Sequence, residues 1–555
     1  MSKQSAASGE ESAGGIFAPL GHLTFRNMWI SSTVTYAGSL VQSVAAAWVM
    51  ADIASADYVA LVQTATFLPM ALFALPAGAI ADIYDRRKVQ MAFFSLSMIA
   101  AVLMTAASAL GWITPWILLA LCFLVGTGGA LSAPARGASV GEQVPPALMA
   151  QAVALNNISY NLARSIGPAL GGILVAAFGA TTAFALNALS HLPTLESLRR
   201  WNRVAEISRM PPESFLRSIS SGLRYIVHLQ SVRRTILRAF VICFIGAALQ
   251  SLLPLIARDL LGGDAKVFGL MLGCFGVGAV SGIFVLQLTR EVLGNETTMR
   301  LCSVVLAACL AILALSSSML LDFVVLLIAG MAWMITTTLI SITVQLFVPR
   351  WVMGRAIATS TAAISLGISL GAWFWGVVAH QHGVVVTFQL AALAMLVSLL
   401  LGRYLPIPDR SASTEVDEKI LTDPDVALGI SGRSGPIGIE LQYFIPAEKA
   451  RDFYNLMREM QRMRLRNGAY DWSISRNIAD PDLWLERFSC PTWDDYLRLR
   501  NRRTVEDAAL QNRAHEMHIG IEPIKVRRWL ERPFGSVRWR QEAPDRGDET
   551  LRIQS

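Results

Sequence analysis

The chain is poor in charge. Only 16% of its 555 residues are Asp, Glu, Lys or Arg, whereas 54% are hydrophobic, a balance far from that of an average soluble protein. The six cysteines show no CxxC spacing, so neither a disulfide framework nor a metal cluster is predicted. No G-x-x-x-x-G-K-[ST] sequence is present, so direct use of ATP is not expected. No apolar stretch precedes Ile16, and the start of the chain does not match a signal peptide.

Long apolar runs fill most of the first 404 residues. A helix needs roughly 20 mostly apolar residues to cross the hydrocarbon core of a membrane. Twelve segments meet this requirement, at 28–51, 58–82, 90–110, 115–135, 152–178, 180–198, 236–257, 268–289, 300–320, 322–347, 356–379 and 384–404. The sequence therefore predicts an all-α membrane protein with twelve transmembrane helices, preceded by a tail at 1–27.

The basic residues predict how these helices are oriented. Arg and Lys concentrate in the even-numbered connections, above all in the central loop at 199–235, whereas the odd-numbered connections carry only Arg258 and Lys266. Positively charged loops remain on the cytoplasmic side. We therefore expect a multi-pass protein of the cell (inner) membrane with both termini in the cytoplasm. This topology explains the net charge of +7, and nucleic-acid binding is not expected.

The two predicted six-helix bundles, 28–198 and 236–404, are related by an internal repeat. A gap-free offset of 204 residues superimposes Gly78 on Gly282, Arg86 on Arg290, Pro145 on Pro349, Met149 on Met353, Gly167 on Gly371, Gly172 on Gly376 and Gly179 on Gly383. Duplicated halves are a hallmark of transporters. Parallel repeats of this kind predict a substrate site between the halves near the midplane, with access alternating between the two sides.

The connection between predicted spans 2 and 3 carries charges at fixed spacing. It contains Gly78, Asp82, Asp85, Arg86 and Arg87. Glycine permits close helix approach, and an aspartate at a membrane boundary needs a cation or a helix N-terminus as partner. The simpler interpretation is that the basic residues only set the topology. The two aspartates oppose that interpretation.

Predicted span 5 combines small residues with a proline. It reads Ala163-x-x-x-Gly167-Pro168-x-x-Gly171-Gly172. Small residues four positions apart let helix backbones approach, and proline removes a backbone hydrogen bond and kinks the helix. This stretch is therefore predicted to pack tightly against another helix.

One face of the same helix is polar. Asn157, Asn161 and Arg164 share this face and are expected to point into a bundle or a wet cavity. Arg164 would attract an anionic substrate group or couple to a proton-titrating partner, unless it packs against carbonyls for a structural purpose. Four glutamines complete the candidate transport cavity: Gln42, Gln63, Gln250 and Gln345. The middles of the spans contain essentially no Asp or Glu, so the sequence names no proton-titrating residue.

These motifs resemble those of the major facilitator superfamily. The charged connection is similar to the superfamily signature between helices 2 and 3, which is associated with the outward-facing state. The glycines and proline of span 5 resemble its helix-5 antiporter motif, which indicates export rather than a facilitator running inward. The segments 66–87 and 156–168 are similar to the branch of transmembrane secretion effectors and the enterobactin exporter. The resemblance implies a 12-helix major facilitator fold that exports a siderophore, drug or related amphipathic compound by proton antiport, without a cofactor or metal.

A soluble region follows the last apolar run. Residues 405–436 are rich in Asp, Ser, Gly and Pro, which is typical of a linker. Within 437–545, alternating strands at 439–444, 470–475 and 483–488 and helices at 447–466 and 492–518 predict a ferredoxin-like α+β domain. It is similar to dimeric α/β-barrel domains, which implies self-association. The alternative to a transporter is a membrane-anchored enzyme or ligand sensor that acts through this domain, although no nucleophile, acid–base pair or metal constellation supports it. The expected partners are a small-molecule substrate, protons and the lipid bilayer.

Overall fold

The computed structural model describes residues 15, 17–202, 224, 226–227, 229–407, 424–501 and 504–531, without the side chains of Asp82, Arg350 and Trp351. Parts of the predicted tail, central loop, linker and C-terminal domain therefore lie outside the described residues. The chain forms two compact units. One comprises Met1–Phe215, Arg234–Ile342 and Ile357–Asp409, and the other comprises Leu216–Arg233, Thr343–Ala356 and Arg410–Ser555.

Long helices make up the membrane part of the chain. They are α1 (Leu23–Ile53), α2 (Ala56–Ile83), α3 (Arg86–Ala109), α4 (Pro115–Ser139), α5 (Met149–Phe178), α6 (Ala180–Arg200), α7 (Gln230–Leu255), α8 (Ala265–Leu315), α9 (Met319–Leu346), α10 (Arg350–His382) and α11 (Val384–Val397), followed by the short α12 (Leu401–Tyr404). Single turns of 3-10 or π helix occur at Ala18–Gly21, Val140–Glu142, Pro146–Leu148, Ile256–Leu260 and Ser398–Leu400.

Among the described residues, ten helices are long and apolar enough to cross a membrane. Two features explain the difference from the twelve predicted spans. α8 has 51 residues and breaks at Gly294, where φ is 76°, so the predicted spans 8 and 9 are two helices joined at a kink. α6 has 21 residues, and polar side chains such as Asn187 and His191 lower its hydropathy. α6 nevertheless packs against α1 and α3 in the same bundle.

The offset of 204 residues recurs in the helix packing. Gly167 of α5 lies against Leu40 of α1, and Gly371 of α10 lies against Phe244 of α7. Each glycine and each partner is displaced by the same offset. Two glycines follow the corresponding helices with nearly equal positive φ angles, 80° and 82°, at Gly179 and Gly383. Equivalent points of the two halves therefore share their local structure.

The C-terminal domain belongs to the second unit. Its elements are β1 (Ile437–Phe444), a 3-10 turn (Ala447–Lys449), α13 (Ala450–Arg466), β2 (Tyr470–Arg476), β3 (Leu483–Cys490), α14 (Trp493–Asn501), α15 (Val505–Glu516) and β4 (Lys525–Leu530). The strands form one antiparallel sheet in the order β2-β3-β1-β4. One face of the sheet packs on the helices in a core that includes Ile439, Phe453, Met457 and Phe488.

The structure differs from the predicted order of this domain at two points. The predicted helix at 492–518 is two helices, because Thr504 and Asp507 form a capping box that begins α15. The strand β4 was not predicted, since its sequence Lys-Val-Arg-Arg-Trp-Leu is basic and mostly exposed. Pairing with β1 holds β4 at the edge of the sheet, where charged residues discourage aggregation.

A buried ion pair lies in the core of the same domain. The Glu486 carboxylate is fully buried and accepts hydrogen bonds from Arg464 Nε, Trp472 Nε1 and the Tyr443 hydroxyl, each at 3.0 Å. These hydrogen bonds offset part of the cost of removing the charges from water. Burial and the adjacent Glu486 carboxylate hold the pKa of Tyr443 well above its usual value. Tyr443 therefore remains a hydrogen-bond donor across the physiological pH range.

Candidate functional site: the contact between the two helix bundles

The two six-helix bundles meet where α5 crosses α8. A Cβ atom on Gly172 would lie 2.5 Å from the Ala265 carbonyl oxygen and 2.7 Å from Cα of Gly269. Farther along the contact, the Ser165 hydroxyl donates a hydrogen bond to the Gly276 carbonyl oxygen at 3.1 Å. Backbones this close exclude larger side chains, so small residues define the crossing.

The glycines of α5 divide their contacts between two partners. Gly167 and Gly171 face α1 of the same bundle, where added Cβ atoms would lie 3.0 Å from Leu40 and Val41. The Pro168 carbonyl oxygen and Gly172 face α8 of the other bundle. One short motif therefore fixes α5 within its own bundle and also brings it against the second bundle.

A second contact joins α2 of the first bundle to α7 and α10 of the second. The Thr64 hydroxyl donates to the Ser369 carbonyl oxygen at 2.8 Å. The Gln63 amide donates to the Gln250 side-chain oxygen at 3.3 Å, and Gly376 lies against Ala60. The internal repeat relates α2 to α8 and α10 to α5, so this contact is the counterpart of the α5–α8 crossing.

Both contacts lie toward the end of the bundles that carries the odd-numbered connections. At this end Trp48 stacks on Phe268 with ring centres 6.2 Å apart. Nδ1 of His380 also lies 3.7 Å from the Asp57 carboxylate. The space between the bundles is therefore closed at this end by contacts that cross from one bundle to the other.

Three of the predicted cavity residues follow the α5–α8 crossing toward the opposite end. The Arg164 guanidinium lies 5.9 Å from the centre of the Phe275 ring of α8. Asn161 is half-buried, and its amide donates to the Asn157 carbonyl oxygen at 2.9 Å. Asn157 itself is exposed. The α5 face that meets α8 is thus uncovered farther from the crossing, and it carries polar groups there.

The four predicted glutamines do not form one site. Gln63 and Gln250 pair across the closed contact. Gln42 is buried inside the first bundle, where it accepts a hydrogen bond from Asn187 of α6. Gln345 is exposed near the end of α9 and belongs to the other unit. The sequence identified these side chains as polar but did not reveal which partner each one faces.

The connection between α2 and α3 makes its described contacts inside the first bundle. Asp85 caps α3 by accepting a hydrogen bond from the Lys88 backbone N–H at 3.0 Å. Arg86 donates to the Glu142 carboxylate at 2.9 Å, which ties α3 to the turn after α4. Arg87 donates to a carbonyl oxygen at the end of α6. A Cβ atom on Gly78 would meet no atom within 4 Å. The side chain of Asp82 is not among those that the structure describes.

Two functional features escaped the sequence reasoning. The first is the α8 side of the crossing, for which the spacing Gly269-x-x-x-Gly273-x-x-Gly276 was the available signal. The second is Asp322, which is fully buried in the first turn of α9. Among the described residues neither of its carboxylate oxygens makes a hydrogen bond of ordinary geometry, and the Ser316 hydroxyl is the polar group beside it. Asp322 is the first residue of predicted span 10, so the sequence did not indicate that its side chain is buried.

Comparison with known proteins gives concordant results. The family model described as transmembrane secretion effector matches residues 14–534. The staphyloferrin A transporter of Staphylococcus aureus is 25% identical over 272 residues, which cover 48% of this chain and 67% of that protein. The multidrug efflux pump Tap of Mycobacterium tuberculosis is 30% identical over 215 residues, which cover 36% of this chain and 49% of that protein. The macrolide efflux protein A of Streptococcus pyogenes is 19% identical over 271 residues, which cover 46% and 67%.

Solved structures share the fold of the membrane part. A bacterial homolog of the human lysosomal transporter Spinster superposes with a TM-score of 0.54 at 15% sequence identity, covering 70% of this chain and 96% of that chain. The D-xylose–proton symporter superposes with a TM-score of 0.54 at 13% identity, covering 68% and 98%. The likeness covers nearly the whole of each transporter.

Proposed function

Because the chain belongs to the transmembrane secretion effector family of the major facilitator superfamily, and is a multi-pass membrane transporter of small molecules, we propose that it exports a siderophore, drug or related amphipathic compound by proton antiport with alternating access. The observation that carries this proposal is the α5–α8 crossing, which closes one end of the space between the bundles. Relatives named as siderophore and drug transporters support the substrate class.

The proposed orientation follows from the distribution of basic residues. If the positively charged connections face the cytoplasm, the closed end faces outward and the uncovered stretch of α5 faces inward. The conformation is then one in which a substrate enters from the cytoplasm. Both termini and the C-terminal domain lie on the cytoplasmic side of the inner membrane in this proposal.

The proposed substrate path uses α5. Asn157, Asn161 and Arg164 line the stretch that leads from the open end toward the crossing. Polar residues within membrane helices are costly unless they meet a partner, a cavity or water. Gln63 and Gln250 act as part of the outer closure, since their hydrogen bond must break when the bundles separate at that end.

We propose Asp322 as the group that binds the coupling proton. A buried carboxyl group that has only the Ser316 hydroxyl beside it is a site where the gain and loss of a proton changes the local free energy strongly. It lies in α9 of the second bundle, whereas the substrate path lies in the first. Proton binding and substrate binding would therefore act on opposite halves of the transporter.

We propose a ferredoxin-like topology for the C-terminal domain, with self-association as its role. The order β-α-β-β-α-α-β, in which two helices stand where the ferredoxin-like order has its second, and the antiparallel arrangement β2-β3-β1-β4 support this topology. On the sheet face away from the helices, Trp529 is 49% exposed and Phe444 is 37% exposed. Sedimentation of the purified full-length protein before and after a Trp529→Glu substitution tests whether that face joins two copies.

Transport by reconstituted protein tests the proposed function. Full-length protein in liposomes, under an imposed pH gradient, should move at least one member of a panel of siderophores, macrolides and amphipathic drugs. Arg164→Ala and Asp82→Asn should lower the rate, whereas Arg26→Ala, a change at an exposed residue outside the proposed path, should not. Movement that is equally fast without the gradient would contradict antiport.

A further inference from the structure

A cavity of about 140 Å³ lies inside the first bundle, between α1, α3, α4, α5 and α6. Its polar lining includes Ser32, Tyr36, Gln90, Arg136, Gln143 and Asn156, and the described lining contains no Asp or Glu. The cavity is separate from the α5–α8 crossing, and no residue of the predicted transport cavity lines it. Its net charge comes from the single guanidinium of Arg136.

Four polar side chains of this cavity lack a hydrogen-bond partner among the described residues, whereas Gln90 and Gln143 are paired with protein groups. In the described part of the chain, the side chains of Ser32, Tyr36, Arg136 and Asn156 make no hydrogen bond to another residue, and Arg136 forms no ion pair. The polar atoms of these four side chains are not fully buried. They can therefore reach a molecule in the cavity. Unpaired donors inside a membrane bundle are costly unless a ligand or water accepts their hydrogen bonds.

Aromatic rings hold Arg136 in place. Its guanidinium carbon lies 5.0 Å from the centre of the Tyr36 ring and 5.8 Å from the centre of the Phe94 ring. Tyr36 in turn packs edge-on against Tyr160, with ring centres 5.4 Å apart. Cation–π contacts position a guanidinium but leave its N–H groups available. The planar N–H groups of arginine match the two oxygens of a carboxylate.

We infer that this cavity binds a carboxylate group of an amphipathic small molecule, with Arg136 as the charged anchor. The inference rests on the proposed export function and narrows the substrate class to compounds that carry a carboxylate. The donors and the lone cation provide the complement of an anion, and the side chains of Phe25, Trp29 and Tyr36 provide an apolar wall.

Benzoate and benzamide test this inference, because the two compounds have nearly the same shape and differ in charge. Isothermal titration of the purified full-length protein should show benzoate binding at least about tenfold tighter than benzamide, which corresponds to about 1.4 kcal/mol. Arg136→Gln should abolish that preference, and Arg136→Lys should retain only part of it because lysine lacks the planar fork. Arg26→Gln, which removes the same charge from an exposed position of α1 outside the cavity lining, should leave the preference unchanged.

Three binding results would overturn the inference, and one transport result, given below, would also overturn it. The three binding results are equal binding of benzoate and benzamide, loss of the preference in Arg26→Gln but not in Arg136→Gln, or binding of dihexanoyl phosphatidic acid at Arg136 without any binding of benzoate. The last result would assign the cavity to a lipid phosphate. Thermal melting of each variant identifies a folding failure, and Arg136→Lys serves as the readout if Arg136→Gln does not fold. Transport in liposomes is measured separately, so export that persists in Arg136→Gln would reject this site and leave the proposed function standing.

Discussion

Replacing Gly269 with alanine should shift the transporter away from the conformation described here. An added Cβ atom would lie 2.6 Å from Cα of Gly172 and 2.8 Å from the Pro168 carbonyl oxygen. Both contacts involve the backbone, so rotation of a side chain cannot relieve them. Overpacking of this kind costs about 1–3 kcal/mol. The cost applies only while α5 and α8 are in contact, and the substitution therefore favours the state in which they separate.

The size of the effect follows from the two-state relation. A penalty of about 2 kcal/mol changes the equilibrium constant by a factor of about 30, so a closed population of about 90% would fall to roughly a quarter. Gly273→Ala should have a smaller effect, because its Cβ atom would lie 3.1 Å from the Ala169 methyl group. Gly129→Ala is the matched control, since it is also a glycine within a membrane helix but has no atom within 4 Å of an added Cβ.

Pulsed electron–electron double resonance measures the populations of the closed and separated states. Spin labels at Trp112 and Ser317, one at the odd-numbered end of each bundle, report the separation of that end in a background that lacks the six native cysteines. Gly269→Ala should transfer intensity from the shorter to the longer distance, and Gly129→Ala should not. Equal distance distributions for the two variants would refute the assignment of the α5–α8 crossing as the closure.

The other predictions concern the proton site and the C-terminal domain. Asp322→Asn should abolish the dependence of transport on the pH gradient while substrate binding is retained, as measured by proton flux and equilibrium binding. Glu486→Ala should destabilise the domain by about 3–5 kcal/mol, because it leaves the Arg464 charge buried without its partner. Trypsin should therefore cleave the full-length variant within residues 437–531 faster than it cleaves the same segment of the wild type. Burial raises the pKa of the Cys490 thiol to about 12, so at pH 8 only about 10⁻⁴ of it is thiolate, and iodoacetamide should modify Cys490 roughly a thousandfold more slowly than an ordinary thiol of pKa about 8.5.

The helix-5 motif shows how far the sequence predicts the site. Spacing alone indicates that Gly167, Gly171 and Gly172 pack tightly, because only small residues permit close backbone approach. Spacing does not say that the first two face α1 and the third faces α8. Those partners lie far away along the chain, and their position depends on how all the helices of the bundle assemble.

The polar residues show the same division. The sequence placed Gln42 and Gln63 in one candidate cavity because both are polar and lie within membrane helices. In the structure Gln42 accepts a hydrogen bond from Asn187 inside one bundle, whereas Gln63 donates a hydrogen bond to Gln250 across the two bundles. Rotation of each helix about its axis decides between these outcomes. Packing against several neighbours sets that rotation, and a single helical pattern does not determine it.

The internal repeat was predictable from the sequence, whereas the edge strand of the C-terminal sheet was not. The offset of 204 residues was predictable because glycines at helix crossings and turns cannot be replaced without strain, and the offset recurs at Gly179 and Gly383. The strand β4 was not predictable from its own residues, which are largely exposed and charged. It becomes a strand because β1 offers an unpaired edge, which is information held elsewhere in the chain.

The proton flux that accompanies substrate movement tests the central claim most directly. Inside-out membrane vesicles with an acidic lumen and a lumenal pH dye would receive a transported member of the substrate panel from outside. Proton antiport predicts that the lumenal pH rises when the substrate is added, at a rate proportional to substrate entry, and that Asp322→Asn uncouples the two. Substrate entry with a falling lumenal pH, or with no change in pH, would contradict export driven by proton exchange.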